Sequence, residues 1–444
     1  MGGEVRRMAV SPSKSLVLVC AAGGVLAALA APGQAASAPR GWAKPVLVSK
    51  TLAHRETSLV LDPTNVRNQM ICDPSGVPSV DHGQSYFHRS SDGGRTWHEQ
   101  NVEGATDLRQ ATFEGGDCDV AIDRAGTMYS ADTWLGDLSV GHSSDHGKTW
   151  DGTPLSGTSP IIDRPWLVGG APGTVYLSYH DLQCCSPAAM WFTKSTDYGK
   201  TFSPAVPITT ANTDGAFIWE GNFVVAPNGK DIYLVYSRRS SINGISAGVD
   251  TESPMSLWLV SSHDAGTTWT SSRITNLPVE TSTIYPAIGL DKGGYLHVVW
   301  SMKSSKGNPV FYTYSANAGR TWRSAVPLNP GHVGWAPWIV GGHHRGEAAV
   351  AWLGSPDPAA TQSTVSPWYF DWARVTVGAS GKPAIRTGST TKSPLWEGKQ
   401  TEPEFEMVAL DAKGLMHLGM SIYQGRPNGG AWSVWNQTET STSH

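Results

Sequence analysis

The most regular feature of the chain is a repeated pair of short apolar segments joined by a Gly-containing turn. Apolar runs bounded by turn residues predict antiparallel β-strands joined in hairpins. Four such pairs occupy residues 120–130, 166–178, 223–236 and 287–300. Comparable pairs begin near Ser58, Ile339 and Met407, so the pattern predicts seven hairpins and an all-β protein.

A second repeat lies between the hairpins and has the form Ser-x-Asp-x-Gly-x-Thr-Trp. Its five copies place the third residue at 92, 145, 197, 264 and 317, and the intervals are 53, 52, 67 and 53 residues. One copy ends in Phe202 and one has Asn317 in place of Asp. Asp accepts nearby backbone N–H groups and Gly adopts a positive φ, so the phrase predicts a tight corner between strands. Intervals of this length are typical of propeller blades.

The five copies are identified as Asp-boxes, the repeat of bacterial neuraminidases. This resemblance to sialidase-like propellers implies four-stranded antiparallel blades with each box between the third and fourth strands, on the rim opposite the binding face. Seven hairpins favour seven blades over the alternative of six. Residues 42–49 resemble the strand that follows a box, and we expect them to pair with residues 432–435 and close the ring.

The N-terminus has the pattern of an export signal. Arg6 and Arg7 precede an apolar stretch at residues 16–30, and small residues allow cleavage after Ala35 or Ala38. We therefore expect residues 1–38 to be a secretory signal peptide and residues 39–444 to form one secreted, extracellular propeller domain. Lipidation at Cys20 is the alternative. No later apolar run approaches the roughly 20 residues that span a bilayer, so no membrane span is predicted.

Composition narrows the choice of partners and cofactors. Charged residues make up 16% of the chain and the formal charge is −4, which disfavours nucleic acid as a partner. No metal-ligand spacing occurs, so neither a metal nor a cofactor is predicted, and the pair His343-His344 is expected at the surface. The nineteen tryptophans suit blade cores and sugar platforms. Nothing in the sequence predicts an oligomeric state.

Four cysteines follow the predicted signal: Cys72, Cys118, Cys184 and Cys185. An exported protein favours disulfides over a redox role. A bond between Cys72 and Cys118 would link adjacent blades. The neighbouring Cys184 and Cys185 would form a vicinal bridge or point to opposite faces of a strand.

Acids, arginines and aromatic residues concentrate where inner strands begin or second strands end, which is the face opposite the boxes. Such a set converging on one concave mouth indicates a carbohydrate site. The candidates are Arg55, Glu56, Asp73, Asp117, Asp119, Asp132, Trp134, Asp163, Arg164, Trp166, His180, Asp181, Glu220, Asn222, Arg238, Arg239, Tyr285, Trp335, Glu402, Glu404 and Glu406.

The sialidase resemblance implies roles for part of this set. Arg55, in the setting His54-Arg-Glu-Thr-Ser-Leu-Val60, would bind the sugar carboxylate, together with Arg238 and Arg239. Tyr285 would be the nucleophile, with Glu220 as the base that deprotonates it, because an anionic sugar repels a carboxylate nucleophile.

The same resemblance makes Asp81 the general acid, and Asp73 is the competing candidate. Asp163, Arg164 and Trp166 are expected to line the pocket, or alternatively Asp163 and Arg164 form a structural ion pair at the entry to a blade.

Three functions are compatible with these residues. A sialidase-like glycoside hydrolase acting on terminal sialic or other acidic sugars is favoured. A polysaccharide lyase is the alternative, with His180 and Tyr285 as candidates for removing the proton beside a uronate. A non-catalytic glycan- or protein-binding propeller is the third, because the segment 255–262 contains no arginine where sialidases place another carboxylate-binding one.

Overall fold

The computed structural model describes residues 41–49, 56–74, 85–100, 102, 117–134, 137–156, 162–181, 189–208, 217–239, 255–277, 286–302, 307–361, 363–399, 407–424 and 431–441. These residues belong to one compact unit, Ala36–His444. The predicted signal peptide, Cys184 and Cys185 lie outside the described residues.

Seven antiparallel sheets, numbered here as blades 1–7, contain all the strands. Blade 1 consists of β2 (Ser58–Leu61), β3 (Gln69–Pro74), β4 (Ser85–Ser90) and β5 (His98–Glu99). Blade 2 consists of β6 (Cys118–Ile122), β7 (Met128–Trp134), β8 (Asp137–Ser143) and β9 (Asp151–Ser156). Blade 3 consists of β10 (Ile162–Gly169), β11 (Val175–Asp181), β12 (Ala189–Ser195) and β13 (Val206–Ile208). Blade 4 consists of β14 (Phe217–Val225), β15 (Ile232–Arg239), β16 (Met255–Ser262) and β17 (Thr270–Leu277).

The remaining blades follow the same order. Blade 5 consists of β18 (Ala287–Leu290), β19 (Leu296–Ser301), β20 (Val310–Ser315) and β21 (Val326–Pro327). Blade 6 consists of β22 (Val333–Gly341), β23 (Glu347–Ser355), β24 (Ser366–Val377) and β25 (Pro383–Ser389), and β26 (Trp396–Gly398) also pairs with β24. Blade 7 consists of β27 (Met407–Leu410), β28 (Met416–Gln424), β29 (Ala431–Thr438) and β1 (Val46–Ser49). The predicted all-β propeller is confirmed, with seven blades.

The ring closes as the sequence predicts. The N-terminal strand β1 pairs with β29 as the outer strand of blade 7, and Leu47 lies opposite Trp435. The backbone N–H of Thr440 donates to the carbonyl of Gly41 at 2.8 Å. Joining the first strand to the last sheet gives blade 7 its fourth strand and covers the edge of β29.

Each Asp-box forms the corner between the third and fourth strands of blades 1–5. In the first box, the Ser90 hydroxyl donates to Asp92 Oδ1 at 2.9 Å and accepts the Gly94 N–H at 2.9 Å. Asp92 also accepts the N–H of Thr96 at 2.9 Å and its hydroxyl at 2.7 Å. Although desolvation opposes them, these hydrogen bonds lower the pKa of Asp92 to about 2. The end of each blade that carries the box is called the lower rim below.

A second aspartate turn joins the first and second strands of several blades, also at the lower rim. Asp123 Oδ1 accepts the N–H groups of Ala125 and Thr127, at 2.8 and 3.0 Å. Its other oxygen accepts the Gly173 N–H of blade 3 at 2.7 Å. Asp291 repeats the arrangement, bonding within its own turn and to the Gly346 N–H of blade 6. These carboxylates therefore fix a turn and connect neighbouring blades together.

Apolar side chains fill the spaces between blades. Tyr176 and Phe192 of blade 3 pack with Phe223 and Tyr236 of blade 4, and all four are buried. The predicted disulfide between Cys72 and Cys118 is confirmed and links β3 of blade 1 to β6 of blade 2. Hydrophobic packing between sheets thus positions the strand ends that form the opposite, upper face.

Candidate functional site

Polar side chains gather at the upper end of the interface between blades 3 and 4. The Ser178 hydroxyl on β11 donates to Glu220 Oε1 on β14, so these two strand surfaces face each other. His180 lies two residues after Ser178 and shares its face. Glu220 lies opposite Tyr236 on β15, and Arg238 follows two residues later on the same face. We call Ser178, His180, Glu220 and Arg238 the upper cleft.

The Glu220 carboxyl is almost fully buried, with 1% of its surface exposed. Burial raises its pKa to about 8, against the opposing effect of the Ser178 hydroxyl. Its Oε2 atom has no hydrogen-bond partner among the described residues. At neutral pH the protonated form of Glu220 is therefore favoured.

The pKa of His180 is shifted in the opposite direction. Burial lowers the pKa of its imidazole to about 4, so the ring is neutral at pH 7. Its Nε2 atom has no hydrogen-bond partner in the described part of the chain. The upper cleft thus places a neutral imidazole on the strand surface that faces a protonated carboxyl.

Arg238 contributes the positive charge of the upper cleft. Its side chain is half-buried, and its Nε atom has no hydrogen-bond partner among the residues described. The guanidinium partly offsets the effect of burial, which raises the pKa of the Tyr236 hydroxyl. Arg238 therefore places a positive charge on the sheet face of blade 4 that also carries Glu220. Arg239 is described only by its position at the end of β15.

Arg164 and Trp166 lie at the centre of the ring rather than in the upper cleft. Arg164 is 1% exposed, and its Nη1 atom lies 3.2 Å from Glu56 Oε2 of the segment that enters blade 1. Its guanidinium lies 4.4 Å from the centre of the Trp166 ring, which stacks on Trp338 of blade 6 at 5.2 Å. These contacts connect blades 1, 3 and 6 across the axis. The ion pair described for Arg164 is therefore made with Glu56.

The Trp338 partner reveals a repeat that the sequence analysis missed. Residues 164–170 read Arg-Pro-Trp-Leu-Val-Gly-Gly and residues 336–342 read Ala-Pro-Trp-Ile-Val-Gly-Gly. Arg164 and Ala336 both have a positive φ, of 43° and 49°. An added Cβ at Gly169 or Gly341 would lie 2.1 Å from the carbonyl oxygen of the preceding blade's inner strand. A search for the Pro-Trp-x-Val-Gly-Gly phrase would have paired the two tryptophans.

Two other acids of the upper face, Asp119 and Asp73, are buried and contact residues on other strands. Asp119 Oδ2 accepts the Leu167 N–H at 2.6 Å, and Oδ1 accepts the Ser58 hydroxyl, so this carboxylate joins blades 1, 2 and 3. Asp73 lies 3.4 Å from His88 Nε2. Burial raises the pKa of both acids. Sequence analysis placed them on this face, and the structure confirms that position.

Several predicted site residues cannot be placed. Arg55, Asp81 and Tyr285 lie outside the described residues, and only the backbone of Asp163 is described. An added Cβ at Gly221 would lie 2.1 Å from the Pro286 carbonyl oxygen, so the bulge after Glu220 packs against the residue that follows Tyr285. The roles assigned to these residues stay predictions.

Among the described residues, no group of three or more His, Cys, Asp and Glu side chains is arranged to hold a metal ion. In the same part of the chain, no helix has the length and apolar character needed to cross a membrane. The predicted surface position of His344 is confirmed, whereas His343 is half-buried.

Solved structures provide the comparison with known proteins. The chain is similar to the polysaccharide lyase Uly1, with a TM-score of 0.52 and 10% identity over 88% of this chain and 91% of that one. It is also similar to a protein of unknown function from Dyadobacter fermentans, with a TM-score of 0.50 and 13% identity over 89% of this chain and 98% of that one. The likeness shows the fold.

A third similar structure is an α-L-arabinanase from Penicillium chrysogenum complexed with arabinobiose. It has a TM-score of 0.46 and 14% identity, over 80% of this chain and 99% of that one. No protein-family model matches the chain, and no match was found among curated proteins. The sialidase-like assignment therefore continues to depend on the motifs in the sequence.

Proposed function

We propose that the protein is an exported enzyme that cleaves glycans carrying acidic sugars, and that it acts in the upper cleft with Glu220 as proton donor. The observation that carries the proposal is the buried Glu220 carboxyl, whose pKa is raised to about 8. A carboxyl that stays protonated at neutral pH is what a general acid requires. Arg238 supplies the charge that would attract an acidic sugar.

Hydrolysis is the reaction we favour. The Glu220 proton passes to the glycosidic oxygen as the bond to the anomeric carbon breaks. Water then adds to that carbon and returns a proton to the Glu220 carboxylate. The Asp-boxes support a sialidase-like enzyme, in which Tyr285 attacks the anomeric carbon. The raised pKa of Glu220 departs from the roles that the resemblance implies, because a protonated carboxyl cannot act as base for Tyr285. Our proposal therefore makes Glu220, rather than Asp81, the proton donor.

His180 favours polysaccharide lyase activity as the second candidate. Its imidazole has a pKa of about 4 and can accept a proton at neutral pH. In that reaction the base removes the proton beside a uronate carboxylate, the C–O bond to the leaving sugar breaks and a C=C bond forms. Glu220 would protonate the leaving oxygen, so the two reactions share an acid and differ in the role of His180.

The two reactions are separated by their products. The purified protein would be incubated at pH 7 with a sialoside, a neutral arabinan and a uronate-containing polysaccharide. Reducing ends report both reactions, whereas new absorbance near the ultraviolet edge reports only the unsaturated product of a lyase. We expect cleavage of an acidic substrate, and a loss of kcat of about 100-fold or more in Glu220→Gln.

Matched variants assign the roles. Glu99→Gln, on the exposed fourth strand of blade 1, is the control and should retain full activity. Loss of activity in Tyr285→Phe with His180→Ala active indicates the hydrolase, and the reverse with ultraviolet-absorbing product indicates the lyase. Full activity of a folded Glu220→Gln enzyme, or binding of all three glycans without cleavage, would contradict the proposal.

A further inference from the structure

At the lower rim, the junction between blades 6 and 7 differs from the junctions that contain an Asp-box. At the junctions that precede blades 1–5, the box of one blade packs on the third strand of the blade before it. An added Cβ at the box glycine Gly147 would lie 2.6 Å from Arg89 Cδ, and one at Gly266 would lie 2.2 Å from the Phe192 ring. Lys194 Nζ, just before the box of blade 3, donates to the Ala265 carbonyl of the next box at 3.0 Å.

Blade 7 has no such corner because its third and fourth strands come from opposite ends of the chain. Strand β29 ends at Thr438 and β1 begins at Val46, so no turn joins them. Arg374, on the third strand of blade 6, instead donates to the Gly414 carbonyl at 2.7 Å and forms an ion pair with Glu439. Ring closure therefore replaces a box with a single carboxylate.

A cavity of about 270 Å³ lies at this junction. Its polar lining includes His343, His344, Glu347, Arg374 and Lys413. This volume is several times the roughly 30 Å³ that one water molecule occupies in the liquid, so the cavity is larger than a bare ion needs and has room for a small polar molecule.

The lining offers groups for both an acid and hydroxyls. Lys413 is an exposed cation, and the Arg374 charge is shared with Glu439. The Glu347 carboxylate accepts the His344 N–H at 3.2 Å and can accept sugar hydroxyls as well. His343 Nε2 contacts the Asp411 carbonyl at 2.6 Å, which makes Nε2 the donor and leaves Nδ1 as an acceptor while the ring is neutral.

We propose that this cavity binds a single sugar unit bearing a carboxylate or sulfate group, with Lys413 pairing with the acid and Glu347 and the imidazoles contacting hydroxyls. The site lies at the end of the blades opposite the upper cleft, so it does not depend on the proposed cleavage. It goes beyond that function by giving the protein a second glycan-binding position.

Titration calorimetry tests the proposal on the full-length mature protein. Glucuronate and a glucose sulfate are the probes, and glucose and inorganic sulfate are the comparison ligands. We expect the acidic sugars to bind a site additional to any binding in the upper cleft, and we expect that binding to weaken by about tenfold or more in Lys413→Ala combined with His344→Ala. The control Lys292→Ala removes an exposed lysine from the corresponding turn of blade 5 and should leave binding unchanged.

Glu220→Gln separates the two sites. Unchanged glucuronate affinity in that variant supports the lower-rim cavity, even if the protein cleaves no glycan. Affinity lost in Glu220→Gln, or unaffected by the double substitution, would place binding elsewhere and overturn the proposal. Equal affinity for inorganic sulfate and glucose sulfate would overturn the assignment to a sugar, and binding of glucose as tightly as glucuronate would overturn the role of the acid group.

Discussion

The pKa values of carboxyl groups are shifted in opposite directions at the two ends of the blades. At the lower rim, Asp92 and Asp197 have pKa values lowered to about 2, since Thr and Ser side chains and backbone N–H groups donate to their charged forms. At the upper face, burial raises the pKa of Asp73, Asp119 and Glu220. Both sets are acids near strand ends, so residue type does not distinguish them.

The difference in pKa follows from how many hydrogen-bond donors each carboxyl group has and from how much water reaches it. A box carboxylate lies in a turn whose amides point at it and remains in contact with solvent. Glu220 lies between two sheets and receives one described hydrogen bond, from Ser178. The protein thus uses ionised acids to form its corners and keeps a neutral acid where a proton could be transferred.

The largest expected difference between the two ends is the loss in free energy of unfolding when a carboxyl group is removed. Asp119→Ala leaves the buried Ser58 hydroxyl and Leu167 N–H without their acceptor, so we expect a loss of about 3 kcal/mol in the free energy of unfolding. Asp145→Ala frees amides that water can reach, and about 1 kcal/mol is expected. Urea unfolding of both variants measures this, and equal losses would show that burial does not separate the two ends.

The pH dependence of stability should differ in sign between the two ends. The pKa of Glu220 is raised from 4.5 to about 8 in the folded protein. Its contribution to the free energy of unfolding is therefore fully present below pH 4.5 and is lost as the pH rises to about 8. The folded pKa of Asp92 is lowered from 3.8 to about 2, so its contribution is present above pH 3.8 and disappears as the pH falls to about 2.

Urea unfolding across this pH range, on wild type, Glu220→Gln and Asp92→Asn, checks both signs. Stability of wild type relative to Glu220→Gln should fall between pH 4.5 and 8, with a slope of at most about 1.4 kcal/mol per pH unit. Relative to Asp92→Asn, it should fall only in acid. A flat difference for Glu220→Gln would mean that its carboxyl is ionised in the folded protein.

The smallest change in stability is expected when the Asp of one box is replaced by Asn, because the fifth box already has Asn317 at that position. In the fifth box Asn317 Oδ1 accepts the Thr321 N–H at 2.9 Å, and its Nδ2 donates to the Thr321 hydroxyl at 2.8 Å. Asp145→Asn should therefore change the free energy of unfolding by about 0.5 kcal/mol or less. A loss as large as that of Asp145→Ala would show that the boxes need the charge as well as the geometry.

The fold was predictable because its signals are local and repeated. Each hairpin and box contains its own turn residues, and the match of residues 42–49 to a post-box strand predicted the closure that Leu47 and Trp435 make. The disulfide between Cys72 and Cys118 was predicted as a link between adjacent blades.

The site was less predictable because its properties depend on contacts distant in sequence. Sequence analysis placed Glu220 and His180 on the upper face but gave no sign of the burial that shifts their pKa values in opposite directions. The pairing of Arg164 with Glu56 spans 108 residues and has no local signal. The stack of Trp166 on Trp338 does have a local sequence signal, which is the Pro-Trp-x-Val-Gly-Gly phrase shared by blades 3 and 6.

The meeting of the two chain ends in blade 7 has a practical consequence for protein engineering. Gly41 and Thr440 are hydrogen-bonded neighbours on the lower rim. A short peptide linker could therefore join Gly41 to Thr440, and new ends could be opened at the exposed turn of blade 6 at residues 378–382. Such a circular permutant would have a continuous blade 7 and could carry a fusion partner on any chosen blade while its upper face stays unobstructed.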